Sequence, residues 1–248
     1  IIYLHGFTAS SKEIRPVPDR VATALGANLY FTRFTGHGRQ PAALADATVG
    51  RWMDDVGEAI KIGNQIGETV IIMATSTGAT LAAAAALDEA AMENIGGIIF
   101  ISPNFAINSR AASLLTWPFA RQWVPLVIGA EQQGIARNDL HARYWTMNYP
   151  TTALMPMAAI VAAVDQESFD DVDIPALFYY SRQDQVVAPD KTAEFARSWG
   201  GASTTLIASL TADDDKFSHI IAGDIVSPNQ TASAADHILA WIKRLQSR

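Results

Sequence analysis

A chain of 248 residues, 49% hydrophobic and 17% charged, is long enough to bury one large core, and its net charge of −7 without a Lys/Arg cluster argues against a nucleic-acid binder. With no cysteine, disulfide frameworks, thiolate metal sites and cysteine nucleophiles fall away together. The unbroken apolar runs, such as 82–87 and 158–164, stop far short of the roughly 18–20 residues that cross a bilayer, so the chain reads as soluble, without an integral membrane segment.

The first run, 1–4, begins inside an apparent strand with neither an initiator Met nor a polar lead-in, and the expectation is that further N-terminal strands precede it. β-rich runs follow at 28–34, 69–74, 97–102, 176–181 and 203–208, most of them separated by amphipathic helical patterns. That alternation predicts an α/β fold whose mostly parallel sheet is covered by helices on both faces, with ligands bound beyond the carboxyl ends of the strands. Between about 105 and 170 the pattern becomes aromatic-rich and punctuated by Pro, with no clear strand, and reads as an insertion over the sheet. Its large apolar residues, among them Trp117, Trp145 and Met147, serve either an acyl or aryl pocket or a self-contained helical core. Its arginines, Arg110, Arg121, Arg137 and Arg143, are dispersed as on a solvated surface. No repeat or low-complexity linker divides the chain, so 1–248 reads as one domain, monomeric or homodimeric.

The run IIMATSTGATLAAAAAL, 71–87, passes from a buried strand through three hydroxyls and a glycine into an alanine-rich helix. Small residues at Ala74 and Gly78 leave room for a tight turn that holds Ser76 strained and exposed. The helix that follows aims its positive end at Ser76 and leaves the Thr77 N–H free for a developing oxyanion. Hydroxyls at a strand end can also do no more than cap the next helix.

Here the chain resembles the α/β-hydrolase family, specifically its capped carboxylesterases and monoacylglycerol lipases, over essentially its whole length. Ala74 stands where the family's G-x-S-x-G elbow has its first Gly. "His5-Gly6-Phe7" is similar to the family's HG motif, which implies the Phe7 N–H as the second oxyanion donor, opposite Thr77. A serine hydroxyl needs a base that titrates near neutrality, and five histidines compete. His5 belongs to the oxyanion loop, His37 to "Thr35-Gly36-His37-Gly38", His141 to the insertion and His237 to the last helix. His219, after the last strand, occupies the family's position for the catalytic histidine. "Asp184-Gln185-Val186-Val187" looks like the family's acid loop, and the order Ser76, Asp184, His219 matches. Asp213, Asp214 and Asp215 lie nearer His219 in sequence, and one of them could touch it from outside the triad.

The resemblance implies a serine carboxylesterase that hydrolyses short- to medium-chain esters through an acyl-enzyme, its partner a small-molecule ester. Thioesters, monoacylglycerols and C–C bonds flanked by carbonyls suit the same triad, and a silent binding module is the alternative of another class. Neither a His/carboxylate cluster at ligand spacing nor a Gly-rich phosphate loop is present in the sequence, so no metal and no organic cofactor are expected.

Overall fold

The computed structural model describes residues 1–109 and 111–247; Arg110, one of the insertion's arginines, lies outside them. In chain order the elements are β1 (Ile2–Leu4), α1 (Val17–Leu25), β2 (Tyr30–Phe31), α2 (Val49–Ile66), β3 (Val70–Thr75), α3 (Thr77–Ala85), β4 (Ile95–Ile101) and α4 (Ala120–Ile128). They continue as β5 (Glu131–Gln133), α5 (Asp139–Tyr144), β6 (Asn148–Pro150), α6 (Leu154–Val164), β7 (Ala176–Tyr180), α7 (Pro189–Ser198), β8 (Ser203–Ile207) and α8 (Thr231–Gln246).

Six strands form one parallel sheet in the order β2-β1-β3-β4-β7-β8. Its central strands are nearly continuous apolar runs because both faces are covered. Side chains alternate between two layers: Ile2, Leu4, Ile72 and Phe100 pack with α2, α3, α6 and α7, while Tyr3, Met73 and Ile99 pack with α1 and α8. The edge strand β8 alternates exposed and half-buried positions. Only Tyr30 and Phe31 of the 28–34 run pair with β1.

The insertion differs from its sequence pattern in two ways. It contains an antiparallel pair, β5 with β6, in which Gln132 faces Tyr149. Apart from Tyr149, Glu-Gln-Gln and Asn-Tyr-Pro hold no strand-favouring residue, and strands so short and polar give no apolar alternation to read. α6, moreover, buries Met157, Ile160, Val161 and Val164 in the layer with α3, so it belongs to the core.

Gly78 fixes how close α3 comes to the sheet. A Cβ there would lie 2.4 Å from the Leu4 carbonyl oxygen and 2.5 Å from that of His5. Backbone oxygens cannot rotate aside as a side chain could. Gly78→Ala is therefore expected to destabilise the protein by about 3 kcal/mol, read as a lower denaturant midpoint at an unchanged m-value.

Candidate active site

Ser76 joins β3 to α3 at φ 51° and ψ −119°, a conformation that a side chain tolerates only where the surroundings impose it. The anchors are backbone groups. Ser76 N–H donates to the Ile101 carbonyl (3.0 Å), and the Ser76 carbonyl accepts from the N–H groups of Ala79 (3.0 Å) and Asn104 (3.1 Å). The side chain is left free to face His219, whose Nε2 lies 3.0 Å from Ser76 Oγ.

His219 Nδ1 lies 2.8 Å from Asp184 Oδ2. A carboxylate only accepts, so Nδ1 carries the proton and Nε2 is the acceptor turned to the serine hydroxyl. The other oxygen of Asp184 accepts the N–H groups of Val186 (2.8 Å) and Val187 (3.0 Å), so the D-x-V-V loop closes on its own carboxylate. Burial works to lower the His219 pKa, but the charge and hydrogen bond of Asp184, then Glu13 and Asp215, outweigh it and raise the pKa above its ordinary value.

Of the acidic run, Asp213 is exposed, Asp214 caps Thr211 and Asp215 reaches the histidine's backbone. Asp215 Oδ2 accepts the N–H groups of His219 (3.1 Å) and Ile220 (3.0 Å). Its Oδ1 accepts from Arg137 Nε at 2.6 Å, and the Arg137 guanidinium lies over the Phe217 ring at 4.5 Å. Burial works to raise the Asp215 pKa, yet the Ile220 N–H and the Arg137 contacts hold it below the usual carboxylate range. Arg137 is thus an ion-pair partner of the loop that carries His219, while Arg121 is exposed and Arg143 sits by the Tyr144 ring.

The loop after β1 is tied at every polar group around Phe7. Gly6 N–H donates to Glu13 Oε2 (2.8 Å), and the Gly6 carbonyl accepts from His5 Nδ1 (2.8 Å). Thr8 N–H donates to His37 Nε2 (3.0 Å) and the Thr8 carbonyl accepts from Thr146 N–H (2.8 Å). Among the described residues the Phe7 N–H has no acceptor. The Thr77 N–H opens α3 and has no preceding turn to bond. His5 also accepts from Phe34 N–H through Nε2, and both histidines must stay neutral for these roles. Burial ensures it, pushing His5 down to about 4 and, with the neighbouring His5, His37 down to about 3.

A cavity of about 230 Å³ opens over Ser76 and His219. Phe7, Trp145, Tyr149, Met157 and Val187 give it apolar walls, and Glu13 and Asn104 reach it as polar groups. The other two pocket candidates lie elsewhere: Met147 packs beside Gly134 at the β5–β6 pair, and Trp117 is 58% exposed in a surface depression with Phe119 and Met155. His141 is buried and accepts the Arg137 N–H, and His237 lies on the exposed side of α8. Glu13 and Asn104 carry no sequence signal, since each is an ordinary polar residue of a loop, Glu13 beside Ser10, Ser11 and Lys12 and Asn104 beside Ser102 and Pro103. Among the described residues no three His, Asp or Glu gather as metal ligands, and no helix is long and apolar enough to cross a membrane.

A family model described as serine aminopeptidase, S33, matches residues 1–211. No curated protein matches the sequence. Among solved structures, one from work on LipS and LipT, two metagenome-derived lipolytic enzymes, has a TM-score of 0.76 at 22% identity, covering 98% of this chain and 92% of that one. A soluble variant of monoglyceride lipase from Saccharomyces cerevisiae, in complex with a substrate analogue, has a TM-score of 0.71 at 13% identity, covering 98% and 86%. Est1E from Butyrivibrio proteoclasticus, with ferulic acid bound, has a TM-score of 0.65 at 16% identity, covering 100% and 89%. At such identities these likenesses concern the fold.

Proposed function

We propose, from the premise that the chain belongs to the serine aminopeptidase (S33) family of α/β-hydrolases, that it is a serine carboxylesterase acting on short- to medium-chain esters through an acyl-enzyme. The observation that carries this reading is the continuous relay from Ser76 Oγ to His219 Nε2 (3.0 Å) and from Nδ1 to Asp184 (2.8 Å), beside a Phe7 N–H that no other described residue claims. In the first half-reaction His219 takes the Ser76 proton as Oγ attacks the ester carbonyl. The negative oxygen is held by the N–H groups of Phe7 and Thr77, each such donor being worth about 2.7–4 kcal/mol in the transition state. His219 then protonates the departing alcohol and leaves an acyl-serine. In the second half His219 deprotonates a water that attacks the acyl carbon, and returns that proton to Ser76 as the carboxylic acid leaves.

The apolar walls of the bounded cavity support acyl specificity that changes gradually, since each buried methylene contributes about 0.8 kcal/mol. Initial rates on p-nitrophenyl esters of about two to sixteen acyl carbons are expected to peak at about two to eight carbons, with Ser76→Ala as the blank. Trp145→Ala is expected to move the optimum to longer acyl groups, because that side chain walls the cavity. A flat zero from folded wild type across the series would favour a silent binding module. A second reading, hydrolysis of monoacylglycerols at a lipid surface, is favoured by the exposure of Phe119 (77%), Leu126 (86%) and Val127 (71%) on the insertion. Strong turnover of long-chain acylglycerols, with a jump in rate once the substrate forms an interface, would select it.

A further inference from the structure

One acid at the site has no part in the relay. Glu13 lies in the turn that follows the Phe7 loop, 3% exposed, and reaches the same cavity as Ser76 and His219. Its Oε2 accepts two hydrogen bonds, from Gly6 N–H and from Tyr3 O–H, each 2.8 Å. Tyr3 has one proton to give, so the Thr75 hydroxyl, 3.0 Å away, donates to Tyr3 in turn. Gly6 measures the crowding: a Cβ there would lie 2.6 Å from Glu13 Oε1 and 3.0 Å from Ser76 Cβ. The Gly6 backbone is therefore wedged between the Glu13 carboxyl and the nucleophile.

We propose, resting on the ester-hydrolase reading of this site, that Glu13 is a positioning residue that acts as its carboxylate. It pins Gly6 so that the next N–H, that of Phe7, faces the oxyanion, and its charge joins that of Asp184 in holding the imidazolium His219 becomes. The carboxylate form is the one that can accept both donors and oppose a cation. Burial pushes the Glu13 pKa up to about 7, with the Gly6 and Tyr3 hydrogen bonds and the nearby His219 opposing that rise. The groups facing Glu13 are few. Tyr3 comes from β1, His219 from the loop after β8 with Asp184 and Asp215 behind it, and Gly223 brings only backbone. From its own turn, Lys12 lies over the Tyr144 ring and Arg15 pairs with Asp19. His5 and His37, on the other side of the loop, stay neutral. As the pH rises through neutrality, the active form therefore needs two protons to leave, one from His219 and one from Glu13, in coupled steps.

The test is the pH dependence of ester turnover and of fluorophosphonate labelling for wild type, Glu13→Gln and Tyr3→Phe, with melting curves as the check on folding. For wild type, the acid limb of log kcat/KM is expected to approach a slope of about 2. Glu13→Gln should lower the plateau kcat about ten- to a hundredfold with KM little changed. Its acid limb should fall to a slope of about 1 and move to lower pH, because His219 has lost a negative neighbour. A residue that only packs would alter the plateau or the melting point and leave that limb in place. Tyr3→Phe, a smaller change, removes a donor that favours the carboxylate, so its acid limb should move to higher pH. A folded Glu13→Gln whose limb keeps the wild-type midpoint and slope overturns the proposal. If that variant does not fold, an unmoved limb in Tyr3→Phe does so. An active, labelled wild type with unmoved variant profiles sinks this inference alone. A wild type that neither labels nor turns over any ester sinks the hydrolase reading and this inference with it.

Discussion

Ser76→Ala is expected to lower kcat by about 10⁶-fold, to the residual rate that an oxyanion site and binding supply without a nucleophile. Folding should survive, because the strained turn is anchored by backbone bonds to Ile101, Ala79 and Asn104, none of which uses the hydroxyl. The variant should also refuse a fluorophosphonate that labels the wild type once. The comparison is demanding because Ser102 and Ser218 share the positive φ of Ser76, at 42° and 56°. Ser102 is fully buried, and Ser218 directly precedes His219 in the chain. Of the three, Ser76 is the one whose hydroxyl lies within hydrogen-bond reach of the imidazole. A labelled peptide carrying Ser102 or Ser218 would remove the basis of the mechanism.

Asp184→Asn should cost about 10⁴-fold in kcat at an unchanged melting temperature. The loop decides how the amide sits. The N–H groups of Val186 and Val187 need an acceptor, so they keep the oxygen and leave the amide NH2 facing His219 Nδ1. The imidazole must then carry its proton on Nε2, where it can no longer take one from Ser76. Measured kcat, with the histidine tautomer followed by nitrogen chemical shifts, separates this from unfolding. Near-wild-type turnover in Asp184→Asn together with collapse in Asp215→Asn would transfer the acid's role to the 213–215 run.

Motifs with a backbone mechanism were readable from sequence. The elbow shows as a change from buried strand to small-residue helix around Ser76, and the acid and histidine loops each follow a strand that reads as β. Contacts made across the sheet were not. Glu13 bonds Gly6 and Tyr3 from a loop with no periodicity, and a carboxyl among turn residues looks the same whether it is buried or hydrated. Asp215 stands in a run of three acids, and only the folded loop distinguishes it from Asp213. β5 and β6 are too polar and short to differ from coil, and α6 reads as part of the insertion because nothing in its composition says which surface it covers.

The Arg137 contacts bear on any attempt to redesign specificity by exchanging the lid segment for that of a relative. Arg137 binds Asp215, and the adjacent Asn138 donates through Nδ2 to the Ile225 carbonyl at 2.7 Å, so the lid holds both ends of the stretch that carries His219. On the proposed reading, the part that would choose the substrate and the part that would move the proton are therefore not separable modules. A transplanted lid lacking an arginine at this place would strand Asp215 as a buried, uncompensated charge and slacken the base, so a chimera could bind its new ester and still fail to cleave it. A graft that starts after Asn138 keeps the clasp and leaves Trp145 and Tyr149 open to exchange.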